Sequence, residues 1–133
     1  MRFSGGIFMA QATRPIALVV EANREERALV STLLEESDMQ VIECDSAEAA
    51  LAVVERKGDE MALVFTDVGL AGQMDGVALA QRVDARHPGV PVVVISAQRN
   101  RRIDELPENV VYLASPWRPL DVLIVAERAR RAA

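Results

Sequence analysis

The sequence predicts an α/β protein: a doubly wound, five-stranded parallel sheet with helices on both faces and a shortened fourth helix. Three observations predict it. Five short, β-branched apolar runs alternate with segments of helical periodicity. The strongest runs are apolar at every position, as in strands buried on both faces. No internal repeat or low-complexity linker interrupts the alternation, so right-handed crossovers leave few topologies.

"PIALVVEAN" (Pro15–Asn23) is the first strand, closed by polar residues. "NREERALVSTLLEES" follows as a helix, with Asn23 as N-cap, Glu25 and Glu26 in the first turn, and an apolar face of Ala28, Leu29, Thr32, Leu33 and Leu34. "MQVIECD" is a second, weaker strand. "SAEAALAVVERKGD" is a helix capped by Asp45 or Ser46 and stopped near Gly58. "MALVFTD" is the third strand and "DGVALAQRVDARHPG" the third helix, ended by His87-Pro88-Gly89. "VPVVVISA" is the fourth strand. "RNRRIDELPEN" is short and polar, at most a stunted helix. "VVYLASP" is the fifth strand, and "RPLDVLIVAERARRA" the last helix, with Pro119 in its first turn.

Composition narrows the function. The chain has 133 residues, half of them hydrophobic, enough for one core and one domain, over residues 15–131, after an N-terminal extension of residues 1–14. No apolar run reaches the length of a membrane span. "MRFSGGIFMA" is too brief in its apolar part for a signal peptide, and Met9 is a candidate internal start. Phe3, Ile7, Phe8 and Met9 make the extension too apolar for an ordinary free tail, so it is expected to pack on its own domain or a neighbouring chain. The single Cys44 fits a reducing cytoplasm and reads as a packed thiol. A net charge of −5 gives no general reason to bind nucleic acid. The closing "ERARRAA" reads as favourable charge at a helix C-terminus.

Sites in open parallel sheets form outside the carboxyl ends of the strands. Strand one ends at Glu21, strand three at Asp67, strand four at Ser96 and strand five at Ser115-Pro116. Two carboxylates and two hydroxyls therefore gather along one edge. Alone, each has a plain reading: Asp67 as turn former or cap, Glu21 as a solvated acid, Ser96 as a turn residue. Together, the acids suit Mg²⁺. A carboxylate beside that ion can take up a phosphoryl group as an acyl phosphate, with Ser96 bonding its oxygens.

The arrangement resembles the receiver domain of two-component response regulators, over about Pro15 to Arg131. "FTDVGLAGQMDGVALA" carries the most specific likeness. The resemblance implies a flavodoxin-like fold of strand order 2-1-3-4-5. It implies Asp67 as phosphoacceptor and Mg²⁺ held by Asp67, Glu21 through water, and the Gly69 carbonyl. "VVVISA" and "VYLASPWRPLDVL" give Ser96 as switch hydroxyl and Tyr112 as switch aromatic. Three positions depart from the family pattern: Ala22 replaces the second acid, Ser115 the lysine before the Pro turn, and Ala71 a proline. Losing a carboxylate weakens the Mg²⁺ site, and losing the lysine leaves the phosphoryl group without its usual cation. Arg99, Arg101, Arg102 and Arg118 are candidate substitutes for the lysine, or plain surface arginines. Asn23 and Glu25 are weaker candidates at the place of Ala22.

Two functions follow from the resemblance. One is a cytoplasmic, bacterial phosphorelay switch, not itself an enzyme, that accepts a phosphoryl group on Asp67 from a histidine kinase or phosphotransfer protein and signals to a downstream protein. The other is a degenerate receiver, a phosphorylation-independent interaction module. Either stands alone or is an excised module. The expected contact surface is the fourth helical segment, strand five and the last helix, with Trp117 as anchor and a homodimer through that face as one outcome. Neither nucleic acid nor membrane is an expected partner. A haloacid-dehalogenase-like phosphatase would want a second Asp where Gly69 stands. The acidic "EANREE" would repel the phosphate of FMN. The lone His87 lies at the far end of the sheet from any serine nucleophile.

Overall fold

The computed structural model describes residues 14–97 and 101–133. The expectations for residues 1–13 and for Arg99 lie outside the described residues. Five strands form one parallel sheet: β1 (Ile16–Val20), β2 (Gln40–Cys44), β3 (Met61–Asp67), β4 (Val92–Ser96) and β5 (Val111–Ala114). Their order is β2-β1-β3-β4-β5, so β1 and β3 are central. The connecting helices are α1 (Arg24–Glu36), α2 (Ala47–Lys57), α3 (Gly76–Arg86) and α4 (Pro119–Ala132). The predicted stunted helix is a single 3-10 turn, Arg101–Glu105. Another 3-10 turn, Gly58–Glu60, follows α2.

Strand alternation divides the core into two layers. Ile16, Leu18 and Val20 of β1 join Val64 of β3 and Val92 and Val94 of β4 against α2 and α3. Ala17 and Val19 point the other way, with Leu63, Phe65, Val93 and Ile95, against α1 and α4. Every residue of β1 and β4 is buried, as strands covered on both sides must be. The edge strands β2 and β5 are only half-buried. Cys44, at the end of β2, is half-buried, and its thiol is pushed up by burial and by the Asp45 charge.

The caps follow the sequence. Asn23 Oδ1 accepts from the Glu26 N–H at 2.8 Å. Ser46, not Asp45, caps α2, accepting from the Ala49 N–H at 3.1 Å. Asp75 caps α3, accepting from the Ala78 N–H at 2.8 Å. One face is rotated from expectation. Helix α1 buries Val30, Ser31, Leu33 and Leu34, whereas Ala28, Leu29 and Thr32 are exposed. The 30-33-34 spacing is the true helical stripe, and a buried serine inside it disguised the pattern. At the chain's end, Arg130 and Arg131 both pair with Glu127, so the basic cluster is partly neutralised within its own helix.

Candidate functional site

The carboxyl edge of the sheet brings Glu21 and Asp67 together, because β1 and β3 are neighbours in register, Val20 opposite Thr66. Glu21 extends the β1–β2 ladder through its N–H to the Cys44 carbonyl at 3.0 Å. Its side chain turns inward and is only 5% exposed. Glu21 Oε2 accepts from the Asn23 N–H at 2.8 Å, while Oε1 is buried with no hydrogen-bond donor. Burial lifts the Glu21 carboxyl to about 7. The Asn23 N–H opposes that, and the charges of Asp67 and Glu26 add to it. An orphaned, buried carboxylate oxygen beside a second acid marks a place where positive charge is wanted.

Asp67 ends β3 half-buried. Its backbone is the most closely packed part of the site. The buried Thr66 hydroxyl donates to the Asp67 carbonyl at 3.0 Å. Gly76 approaches that carbonyl so closely that an added Cβ would fall 1.9 Å from its oxygen. Gly69 runs beside the Asp67 carboxylate: a Cβ there would meet Asp67 Oδ2 at 3.8 Å. Ser96 ends β4, and is 5% exposed.

The two carboxylates, one of them with the orphaned Glu21 Oε1, suit a hard divalent cation. They are a reduced set. Among the described residues no group of three or more His, Cys, Asp or Glu is placed to hold a metal. Ala22 is exposed and its side chain brings no donor. Asn23 is engaged as the α1 cap and Glu25 is exposed on the first turn of that helix.

The remaining sequence candidates are placed as follows. Tyr112 is half-buried and packs on the α2/α3 side of the sheet. Ser115 is exposed and precedes a cis peptide bond to Pro116. The Arg118 side chain is 74% exposed and ion-pairs with Asp121 at 3.3 Å, in the box that starts α4. Arg101 is exposed. Trp117 is half-buried against the α1/α4 core, so the exposed apolar side chains near β5 and α4 are Val111, Leu120 and Ile124.

Two contributors, Arg27 and Glu48, were missed by sequence reasoning, and a third, Arg102, was named only as a candidate substitute for the lysine. Arg27 spans the end of the β1–β2 pair, donating from Nη1 to the Glu21 carbonyl at 2.8 Å and from Nε to Glu43 Oε1 at 3.1 Å. Glu48 of α2 accepts from the Met74 N–H at 3.0 Å. Arg102 forms a two-bond ion pair with Asp75. That pair holds the Asp75 carboxyl below the usual carboxylate range, the Arg102 hydrogen bonds being the main cause. None of these contacts has a local signal, since the partners lie 16 to 27 residues apart apart from the Arg27–Glu21 bond. A cleft of about 390 Å³ lies at the opposite sheet edge, lined by Pro15, Glu60, Met61 and Pro91, and holds none of the converging groups. His87 is at that end too, against Gly58.

The sequence pattern described as "Response regulator receiver domain" matches residues 17–107. The chain belongs to that family. Among its relatives, the response regulator protein FleR of Pseudomonas aeruginosa is 32% identical over 114 residues, covering 84% of this chain but 24% of FleR. The two-component response regulator ORR5 of Oryza sativa subsp. japonica is 28% identical over 124 residues, covering 88% of this chain and 90% of ORR5. The crystal structure of the receiver domain of NtrX from Brucella abortus superposes with a TM-score of 0.74 at 29% identity. It covers 88% of this chain and 99% of that one. The receiver is thus a response regulator domain of a two-component system, with the sheet order of that fold. Among the described residues no helix is long and apolar enough to cross a membrane.

Proposed function

We propose that this receiver accepts a phosphoryl group on Asp67 from a histidine kinase or phosphotransfer protein. The observation that carries this is the buried Glu21 carboxyl beside Asp67, with one oxygen lacking any donor and its proton affinity raised to about 7. A protein interior holds such a pair only at a cost, and a site that concentrates charge is where function is expected. Mg²⁺ held by Asp67, Glu21 through water and the Gly69 carbonyl would offset the carboxylate charges and those of the incoming phosphoryl oxygens. Asp67 supplies the oxygen that forms the new P–O bond. The P–N bond to the donor imidazole breaks, and the imidazole nitrogen keeps the electron pair. In this reading Ser96, at the end of the adjacent strand, bonds the phosphoryl oxygens, and Tyr112 on β5 follows its movement. A downstream protein contacts the face of β5 and α4, where Leu120 is 55% exposed.

The test is intact-mass spectrometry after treatment with acetyl phosphate, with and without Mg²⁺. One phosphoryl adduct is expected, dependent on Mg²⁺ and absent from Asp67→Asn. A second reading, a phosphorylation-independent binding module, is favoured by the exposed Ser115 and by Arg118 pairing with Asp121. No adduct in a folded protein also given a kinase supports that reading.

A further inference from the structure

The loop between β3 and α3, residues 68–75, follows the acceptor directly and carries the Gly69 carbonyl. Leu70 anchors its start: the side chain is buried and its N–H turns back to the Val68 carbonyl at 2.9 Å. Two other elements hold its far end. Glu48 of α2 accepts from the Met74 N–H and lies against Gly72, whose φ of +105° favours glycine. Arg102 donates from Nε to Asp75 Oδ2 at 2.9 Å and from Nη2 to Asp75 Oδ1 at 3.0 Å. Two parallel bonds fix orientation as well as distance, which a single ammonium group does not.

Asp75 links that guanidinium to the acceptor. Its Oδ1 also caps α3. The next residue is Gly76, which abuts the Asp67 carbonyl and donates its N–H to the Val68 carbonyl at 3.0 Å. Arg102 is held in its own segment by an ion pair with Glu105, and the Glu105 carbonyl accepts from Gln81 Nε2 at 2.9 Å. The 101–105 turn and the backbone of the acceptor are therefore joined through one side-chain pair and one residue.

We propose that Arg102 is a positioning residue of the acceptor site: through Asp75 it holds the loop that sets the Gly69 carbonyl beside Asp67. It rests on the acceptor role proposed for Asp67. Without the guanidinium, the Asp75 anion stands uncompensated near a site that already contains two carboxylates. The loop also loses one of its two side-chain ties, and small misplacements of a positioned group cost much of its effect. Coupling of this kind is reciprocal, so the 101–105 turn also responds to the state of Asp67.

The experiment compares the full chain with Asp75→Asn, Arg102→Gln, Arg102→Lys and the double variant Asp75→Asn/Arg102→Gln. Asparagine keeps the helix cap while removing the anion. Two quantities are read: amide hydrogen exchange across residues 68–76, and the Mg²⁺ concentration giving half-maximal phosphoryl uptake from acetyl phosphate. Asp75→Asn and Arg102→Gln are each expected to raise that concentration about three- to tenfold, with the double variant no worse than the stronger single. Both should speed exchange in the loop but not in β1 or β4, and Arg102→Lys should recover part of the loss. An ion pair that served stability alone would lower the unfolding midpoint and leave the Mg²⁺ dependence of the folded protein where it was. Unchanged loop exchange and unchanged Mg²⁺ dependence in Arg102→Gln overturn the proposal. A wild type that takes up no phosphoryl group overturns the acceptor role instead. Loop exchange then decides alone: faster in Arg102→Gln upholds the holding role, unchanged defeats it.

Discussion

The two sides of the carboxyl edge are built differently. Around β1 and β3 the chain is tied at every turn: Arg27 holds the Glu21 carbonyl, Glu48 holds Met74, Arg102 holds Asp75, and Gly76 lies on the Asp67 backbone. Around β5 the chain turns outward. Ala114, Ser115 and Pro116 are exposed, and Arg118 faces Asp121 at the start of α4. Carboxylates collect on the tied side, and on the other side Ser115 stands in solvent. The contrast teaches that the β1/β3 half of the edge is kept under tight geometric control while the β5 half is loosely held.

The largest expected effect breaks the tied side. Gly76→Ala places a Cβ on the backbone of Asp67 and Val68, where nothing flexible can give way. It should cost about 3 kcal/mol or more, the upper range for overpacking, read from urea unfolding. Next comes Glu21→Gln, which retains an acceptor for the Asn23 N–H and removes the buried charge. Burial raises this acid from 4.5 to about 7, so between those values the folded protein keeps a proton that the unfolded chain has released. The group's contribution to stability is therefore greatest below 4.5, falls as pH rises to about 7, and is constant above. Glu21→Gln should be more stable than wild type by about 1–3 kcal/mol near pH 8 and equal to it near pH 4, as thermal unfolding across pH will show. The smallest effect on stability tests the loose side. Ser115→Lys alters an exposed position and should shift stability by less than about 0.5 kcal/mol. If β5 lacks only its cation, the same change should increase phosphoryl uptake, and an unchanged rate would mean that the two sides are no longer coupled.

Much of the fold was legible because its signals are local. Every strand was visible as an apolar run, and the cap Asn23 as a polar residue just ahead of a periodic helix. The face of α1 was not, because Ser31 is buried in a stripe that its hydroxyl made look polar. Glu21, Asp67 and Ser96 were legible as site candidates since strand ends converge by topology alone. Arg102 was named only among interchangeable arginines. Its partner is 27 residues away, and an exposed-looking charge in a polar stretch resembles any solvated arginine until tertiary structure gives it an anion.

One feature of β2 has a practical use. The Cys44 thiol is half-buried and its ionisation is pushed up, so little nucleophilic thiolate forms at neutral pH. A cysteine introduced at the exposed Ile124 of α4 should therefore react with a maleimide well ahead of the native one. That allows a photocrosslinker to be attached to the β5–α4 face with Cys44 left in place, and a binding protein to be trapped there covalently.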